Sequence, residues 1–185
     1  MSVTGLQRQA VRLLTFCALV LAPTNARADE FSVRAIGTIL GSCGFTVSSS
    51  FPPDADLTVP GSINAGALVN CGVPFRVHAA SASGALRNSA PAASGFTNFL
   101  GYTLSVSVML DGGSAISASC GSATLVAGQS SCALSPFNAT GLSSGAGIAT
   151  NKTATLTASW GSPGSAHLAA GTYSDTLTIT IAAAP

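Results

Sequence analysis

Cysteines are the residues of this sequence whose spacing points most directly to a chemical role. The chain has five, Cys17, Cys43, Cys71, Cys120 and Cys132, and the first lies in an N-terminal segment that we expect to be removed. The other four form no Cys-x-x-Cys pair and neither histidine is near a thiol, so zinc binding is not favoured. An even count in an exported chain predicts two disulfides instead. Of the three possible pairings, Cys43–Cys71 with Cys120–Cys132 is the most local.

The candidate acid–base residues lack the neighbours that catalysis needs. His78 has the strand parity of Arg76, which predicts a solvated position, and His167 lies in a Gly/Ala/Pro loop without a nucleophile. Asp54 and Asp56 are too few carboxylates for calcium. The sequence also contains no Gly-x-Ser-x-Gly, P-loop or His-Glu-x-x-His motif. We therefore expect a protein that is not an enzyme and that holds no cofactor or metal.

The N-terminal segment, residues 1–28, has the pattern of a secretory signal peptide. Arg8 and Arg12 precede an apolar run, and Ala26-Arg27-Ala28 is a small-x-small cleavage site. The apolar run is too short to anchor the chain in a membrane. Residues 29–185 then carry four basic and six acidic side chains, a net charge of −2. Such a surface does not attract nucleic acid or anionic lipid, so we expect export without membrane insertion and without a nucleic-acid partner.

The final stretch, residues 171–181, is the strongest predicted strand. Its β-branched and aromatic residues alternate with Ser and Thr, which indicates one buried face made of Tyr173, Leu177, Ile179 and Ile181. Asp175 shares the parity of this face, and we expect it to cap a loop backbone or to pair with an arginine. The sequence ends four residues later, so the neighbouring strand must come from elsewhere in this chain or from another chain.

A second alternating stretch, residues 29–42, is a candidate for that neighbour. Its apolar parity consists of Phe31, Val33, Ala35, Gly37 and Ile39. Two interpretations remain open because periodicity does not separate them. The stretch is either the first strand of its own domain or a donor strand that fills a groove in another subunit.

The remainder of the chain predicts short strands separated by Gly, Pro and Ser turns. Residues 102–110 and 116–120 flank Asp111-Gly112-Gly113, a strong hairpin signal, and residues 152–160 form a further strand with an apolar face. Residues 81–94 have a loop-like composition, and a short strand is possible at 123–126. Without a helical pattern, these elements predict an all-β protein built as a sandwich.

The closing stretch resembles that of the spore coat protein U domain family, which includes the pilins of archaic chaperone–usher pili. The likeness lies in Gly-x-Tyr-x-Asp-Thr-Leu-Thr-Ile-Thr-Ile at 171–181, and it continues in Asn70–Val77, Arg87 and Phe99–Leu104. The resemblance implies an immunoglobulin-like β-sandwich that lacks its last strand and is completed by donor-strand exchange with a neighbouring subunit. It also supports the Cys43–Cys71 bridge.

The same resemblance implies a domain organisation and a set of partners. Residues 1–28 would be the signal peptide, 29–42 the donor segment and 43–185 the pilin-like domain, whose acceptor edge is the strand 173–181. The partners would be other pilus subunits, a periplasmic chaperone and an outer-membrane usher, and the chain would pass through the periplasm to a pilus that serves adhesion or biofilm formation. The alternative is a secreted coat-type or carbohydrate-binding module that does not polymerise, with Tyr102, Phe137 and Trp160 as part of a sugar-binding face.

Overall fold

A computed structural model describes residues 31–40, 43–49, 51–52, 55–165 and 167–184, and for 31–40 it describes the backbone alone. The predicted signal peptide, residues 1–28, and Asp54 lie outside the described residues. Strands dominate, and Ser122–Thr124 forms a 3₁₀ turn. The predicted all-β class is confirmed. The strands, in chain order, are β1 (Phe31–Leu40), β2 (Cys43–Ser49), β3 (Gly61–Cys71), β4 (Phe75–Ser81), β5 (Leu86–Asn88), β6 (Phe96–Thr97), β7 (Phe99–Leu100), β8 (Thr103–Met109), β9 (Ala115–Gly121), β10 (Leu142–Ser143), β11 (Ala149–Trp160), β12 (His167–Leu168) and β13 (Tyr173–Ala183).

Two sheets contain most of these strands. The first is antiparallel, with the order β2-β3-β11-β8-β9. The second has the order β10-β4-β13-β5-β7, and β1 pairs with β13 beside this path. The short strands β12 and β6 pair separately in parallel. In the first sheet, the pairs β2–β3 and β8–β9 are consecutive in the sequence, and β11 lies between them. In the second sheet, the central strand is β13, the last strand in chain order.

One hydrophobic core receives side chains from both sheets. In β11 the predicted apolar face is buried, with Ala154, Leu156, Ala158 and Trp160 each no more than 6% exposed. The second sheet contributes the alternating residues of β4 and β13 to the same cluster. The period of two in the sequence therefore gives each sheet one core face, as expected for half-buried strands.

The hairpin between β8 and β9 forms where the sequence predicts it. The N–H of Gly113, whose φ is +81°, donates to Leu110 O at 3.1 Å, and Met109 pairs with Ala115. The Asp111 carboxylate accepts the N–H of Thr150 at 2.8 Å and lies 3.6 Å from Lys152 Nζ. These contacts, the Thr150 hydrogen bond first, lower the pKa of Asp111. The turn is thereby fastened to the start of β11.

Two local predictions are wrong. The possible strand at 123–126 is replaced by the 3₁₀ turn, and residues 86–88 form β5 inside the stretch expected to be a loop. The cause in the second case is tertiary, because β5 obtains its hydrogen bonds from β13 and β7. Three residues are too few for a periodic pattern to be recognised.

Both predicted pairs of cysteines are bridged. Cys43–Cys71 joins the beginning of β2 to the end of β3, and Cys120–Cys132 joins β9 to the loop that follows it. Within the described residues, no helix has the length and apolar character needed to cross a membrane.

Candidate functional site

The buried face of β13 is composed as the alternation predicts. Tyr173, Leu177, Ile179 and Ile181 are each no more than 2% exposed, whereas the intervening Ser and Thr residues are more accessible. β13 thus lies at the centre of the second sheet, with two edges that carry different neighbours.

One edge of β13 pairs with β4 and β5, which run antiparallel to it. β4 covers the part from Leu177 to Ala183, and β5 covers Tyr173 and Ser174. Between them, residues 82–85 form an excursion without residue pairs to β13, although the N–H of Ala82 still donates to Thr176 O at 3.0 Å. The neighbour of β13 is therefore interrupted on this side.

The other edge of β13 pairs with β1 in parallel over ten consecutive residues. The predicted donor residues stand in register with the buried positions of β13: Phe31 with Tyr173, Val33 with Asp175, Ala35 with Leu177, Gly37 with Ile179 and Ile39 with Ile181. The two stretches that the sequence singled out therefore lie side by side within one chain. This intrachain pairing is the first of the two interpretations of residues 29–42.

The attachment of β1 to the rest of the molecule is narrow. Among the described strands, β1 forms a ladder with β13 alone. Two residues after β1 ends, the chain enters β2 in the other sheet, and the first residue of β2, Cys43, is bridged to Cys71. Both cysteines are buried, at 2% and 0% exposure. The covalent anchor therefore lies just outside the candidate donor segment.

A buried polar cluster lies on β13 opposite the excursion. Asp175 is 5% exposed, and its carboxylate accepts hydrogen bonds from Ser81 Oγ at 2.5 Å, Tyr102 Oη at 2.6 Å, the Thr176 N–H at 2.8 Å and the Ser83 N–H at 3.1 Å. The prediction that Asp175 caps a loop backbone is confirmed, and these hydrogen bonds come from hydroxyl and backbone groups and not from an arginine. Sequence reasoning missed Ser81 and Tyr102 because they lie 94 and 73 residues away.

Burial makes both tyrosines less acidic, and the cluster adds to this effect for Tyr102. Burial, followed by the hydrogen bond to Asp175, raises the pKa of Tyr102, and burial raises the pKa of Tyr173. Tyr173 Oη lies 2.9 Å from Ala169 O and 3.0 Å from Thr97 O, and it donates its hydrogen bond to these carbonyl oxygens. Both phenols are therefore held neutral in the folded protein.

This arrangement gives a prediction for alkaline titration. The chain has two tyrosines, and both have a folded pKa above the unfolded value of about 10. The stabilisation is complete below the unfolded pKa and is lost as the pH rises towards the folded pKa. We expect the tyrosinate absorbance of the native protein to appear at a higher pH than that of the denatured chain. A native titration with a midpoint near that of the denatured chain would contradict the buried cluster.

The histidines lie outside this cluster. His78 is half-buried rather than solvated, with Nδ1 3.0 Å from Ser135 O, because the loop that contains Ser135 covers β4. His167 is exposed, and its ring centroid lies 6.0 Å from that of Phe96. In the part of the chain that the structure describes, no group of three or more His, Cys, Asp or Glu side chains is placed to hold a metal ion.

The aromatic residues of the alternative sugar-binding face are not presented together. Tyr102 and Trp160 are buried, at 4% and 6% exposure, whereas Phe137 is 53% exposed. Trp160 Nε1 donates to Val59 O at 2.9 Å, so the polar group of its indole is already engaged within the protein. The residues predicted for sugar binding thus serve mainly the core.

The chain matches no protein-family model and no curated protein. The candidate site is therefore identified from its geometry alone. It is the edge of the central strand β13 that β1 occupies, and among the described strands a single ladder holds β1 there.

Proposed function

We propose that this chain is the structural subunit of an extracellular fibre of the pilus or fimbria type, in which copies join by exchange of their N-terminal strands. In this proposal the domain is an immunoglobulin-like sandwich whose second sheet is completed by β1. Within its own chain β1 closes the edge of β13, and in the fibre the β1 of another copy takes that place. The proposal includes no catalytic step.

The observation that carries the proposal is the position of β1. It is the terminal strand of the described chain, it forms a ladder with β13 alone, and its connection to β2 is two residues long. Release of such a strand leaves every other ladder of both sheets intact. An extended strand added to an open sheet edge is a general mode of protein association, in which the main chain supplies the hydrogen bonds.

The Cys43–Cys71 bridge supports the same conclusion. It joins β2 to β3 at the point where the chain leaves β1, so the domain is fastened independently of β1. Exchange of β1 between copies would replace one ladder by an identical one. Swapping an identical element between protomers is a low-cost route to assembly.

By the resemblance to archaic chaperone–usher pilins, the partners in this proposal are other pilus subunits, a periplasmic chaperone and an outer-membrane usher. The low charge content, 7% of the chain, suits a protein whose surface is buried in an assembly. The route would be export by the signal peptide, a periplasmic stage and delivery to the cell surface, where the fibre serves adhesion or biofilm formation.

The intrachain ladder favours one second candidate, a secreted coat-type protein that remains monomeric. There, β1 is a permanent first strand and exchange never occurs. The two candidates differ in the size of the native species: a fibre subunit yields a ladder of oligomers, and a coat-type monomer yields one species at all concentrations.

A pair of substitutions in β1 tests the proposal. Val33 stands in register with the buried carboxylate of Asp175, so Val33→Asp brings a second carboxylate to that position of the sheet. Buried like charges are strongly unfavourable, and we expect at least a tenfold loss of oligomers. Ser32→Asn, one residue away on the other parity, is the matched control and should leave them unchanged.

The measurement is the distribution of oligomers after expression with a cognate chaperone and usher, separated without boiling. Equal ladders from the two variants would contradict strand exchange through β1. A single monomeric species from the parent chain would instead establish the coat-type candidate.

A further inference from the structure

The two edges of β13 differ most at residues 175 and 176. On one edge the ladder is interrupted there, between the Leu177–Ser81 pair and the Ser174–Arg87 pair, and one backbone hydrogen bond, from Ala82 N–H to Thr176 O at 3.0 Å, extends into the interruption. On the other edge the ladder with β1 passes the same point without a shift in register. A continuous edge is thus maintained across a gap in the sheet.

The Asp175 carboxylate occupies this gap as a hydrogen-bond acceptor. It receives the backbone N–H of Ser83 and the hydroxyl of Ser81, and Ser81 Oγ in turn accepts the N–H of Gly84 at 2.7 Å. Gly84 has φ +69°, and a Cβ there would lie 2.8 Å from Val126 Cγ1. The excursion is therefore tightly packed at Gly84. The carboxylate accepts the N–H of Ser83, the serine that it holds accepts the N–H of Gly84, and Thr176 O accepts the N–H of Ala82.

A bulge disrupts a ladder locally, and a one-residue slip moves every side chain of a strand to the other face. Either change at residue 175 would alter the edge that carries β1. On the side of the excursion the carboxylate accepts the N–H of Thr176, and Thr176 O accepts the N–H of Ala82, so the backbone of β13 is held at this point.

We propose that Asp175 is a positioning residue for strand capture: by capping the excursion at residues 82–85, it keeps β13 extended and in register, so that its opposite edge offers ten unbroken positions to β1. Its importance for assembly rests on the proposed function, in which the β1 of a second copy uses the same edge. The positioning itself is a property of the single chain.

The two carboxylate oxygens of Asp175 serve different donors. Oδ1 accepts the N–H groups of Ser83 and Thr176, and Oδ2 accepts the hydroxyls of Ser81 and Tyr102. An Asn would keep the backbone cap through its own Oδ1, because the two hydroxyls can accept hydrogen bonds from its N–H₂ group. Asp175→Ala removes all four acceptor contacts, and a buried donor left without a partner costs more than the average hydrogen bond contributes.

The test is hydrogen–deuterium exchange of the full-length monomer, read by peptide. In Asp175→Ala we expect exchange at 31–36 and 173–177 to be at least tenfold faster, with β3 and β11 unchanged. Ser81→Ala removes the hydrogen bond that Ser81 Oγ donates to Asp175 and the one that it accepts from Gly84, and it should act in the same direction, about threefold. Tyr102→Phe is the matched control, since it removes another hydrogen bond to the same carboxylate without touching the excursion, and β1 should exchange as in the parent.

Three results would overturn the positioning role. The first is unchanged exchange of β1 in Asp175→Ala. The second is equal acceleration of all strands in both Asp175→Ala and Ser81→Ala, and the third is acceleration of β1 by Tyr102→Phe to the level of Asp175→Ala. If Asp175→Ala does not fold, Ser81→Ala decides the matter by the same criterion. Failure of the parent chain to form oligomers removes the proposed function but leaves this exchange pattern expected, so the two failures are distinguishable.

Discussion

A chain that lacks residues 29–40 is expected to form no fibres and to lose most of its stability as an isolated monomer. The deletion removes the whole ladder of β1 and exposes the main-chain groups of β13 along ten residues. Burial of a large apolar side chain contributes about 1.5–3 kcal/mol. If Phe31, Val33 and Ile39 are buried as their alternation predicts, their loss approaches the whole stability of a typical domain, which is about 5–15 kcal/mol.

The measurement is thermal unfolding and electron microscopy of the deletion variant, with and without a synthetic peptide of residues 29–42. The peptide should restore the melting temperature of the variant, because binding to the native state alone stabilises it. Peptide carrying Val33→Asp is the matched control and should restore much less. A deletion variant with the same melting temperature as the parent would show that β1 is not needed for the fold. A deletion variant that still forms fibres would show that β1 is not the link between copies.

The second large effect is expected from the Cys43–Cys71 bridge. The bridge closes a loop with a sequence separation of 28, and Cys120–Cys132 closes one of 12. In the chain-entropy treatment these separations correspond to about 3.5 and about 3 kcal/mol. We expect the double variant Cys43→Ser/Cys71→Ser to lose slightly more stability than the double variant Cys120→Ser/Cys132→Ser. We also expect it to hold β1 less firmly at the end that leads into β2.

Two measurements separate these contributions. Denaturant unfolding gives the free energy of each double variant, and hydrogen exchange reports whether β1 is loosened. Accelerated exchange of β1 in the Cys43/Cys71 variant and not in the Cys120/Cys132 variant is the expected pattern. Equal protection of β1 in both variants would contradict an anchoring role for the first bridge.

The long elements of this fold could be predicted because their hydrophobic pattern is local. β11, β13 and the hairpin at Asp111-Gly112-Gly113 each contain their own periodicity or turn chemistry. The orientation of β1 could not be predicted, because alternation is the same for a strand that pairs in parallel and for one that pairs antiparallel.

The buried cluster around Asp175 could be predicted from the sequence only in part. The parity of Asp175 with Tyr173 and Leu177 indicated a buried carboxylate that needs donors, and the structure supplies them. Its partners Ser81 and Tyr102 carry no local signal, since Ser is abundant in this chain and the contacts are set by how β4 and β8 approach β13. Sequence pattern thus identified the residue that needs a partner but not the partner.

The short link between β1 and β2 has a consequence for dilution. A strand tethered next to its own groove competes at an effective concentration in the millimolar range, whereas a second copy in micromolar solution is about a thousandfold more dilute. In the proposed assembly, dilution would therefore favour the closed chain, and a high local concentration would favour joined copies. Joining would then require either a factor that withholds β1 from its own groove or a place where subunits are delivered at high local density, so the place of delivery, rather than the bulk solution, would determine where a polymer begins.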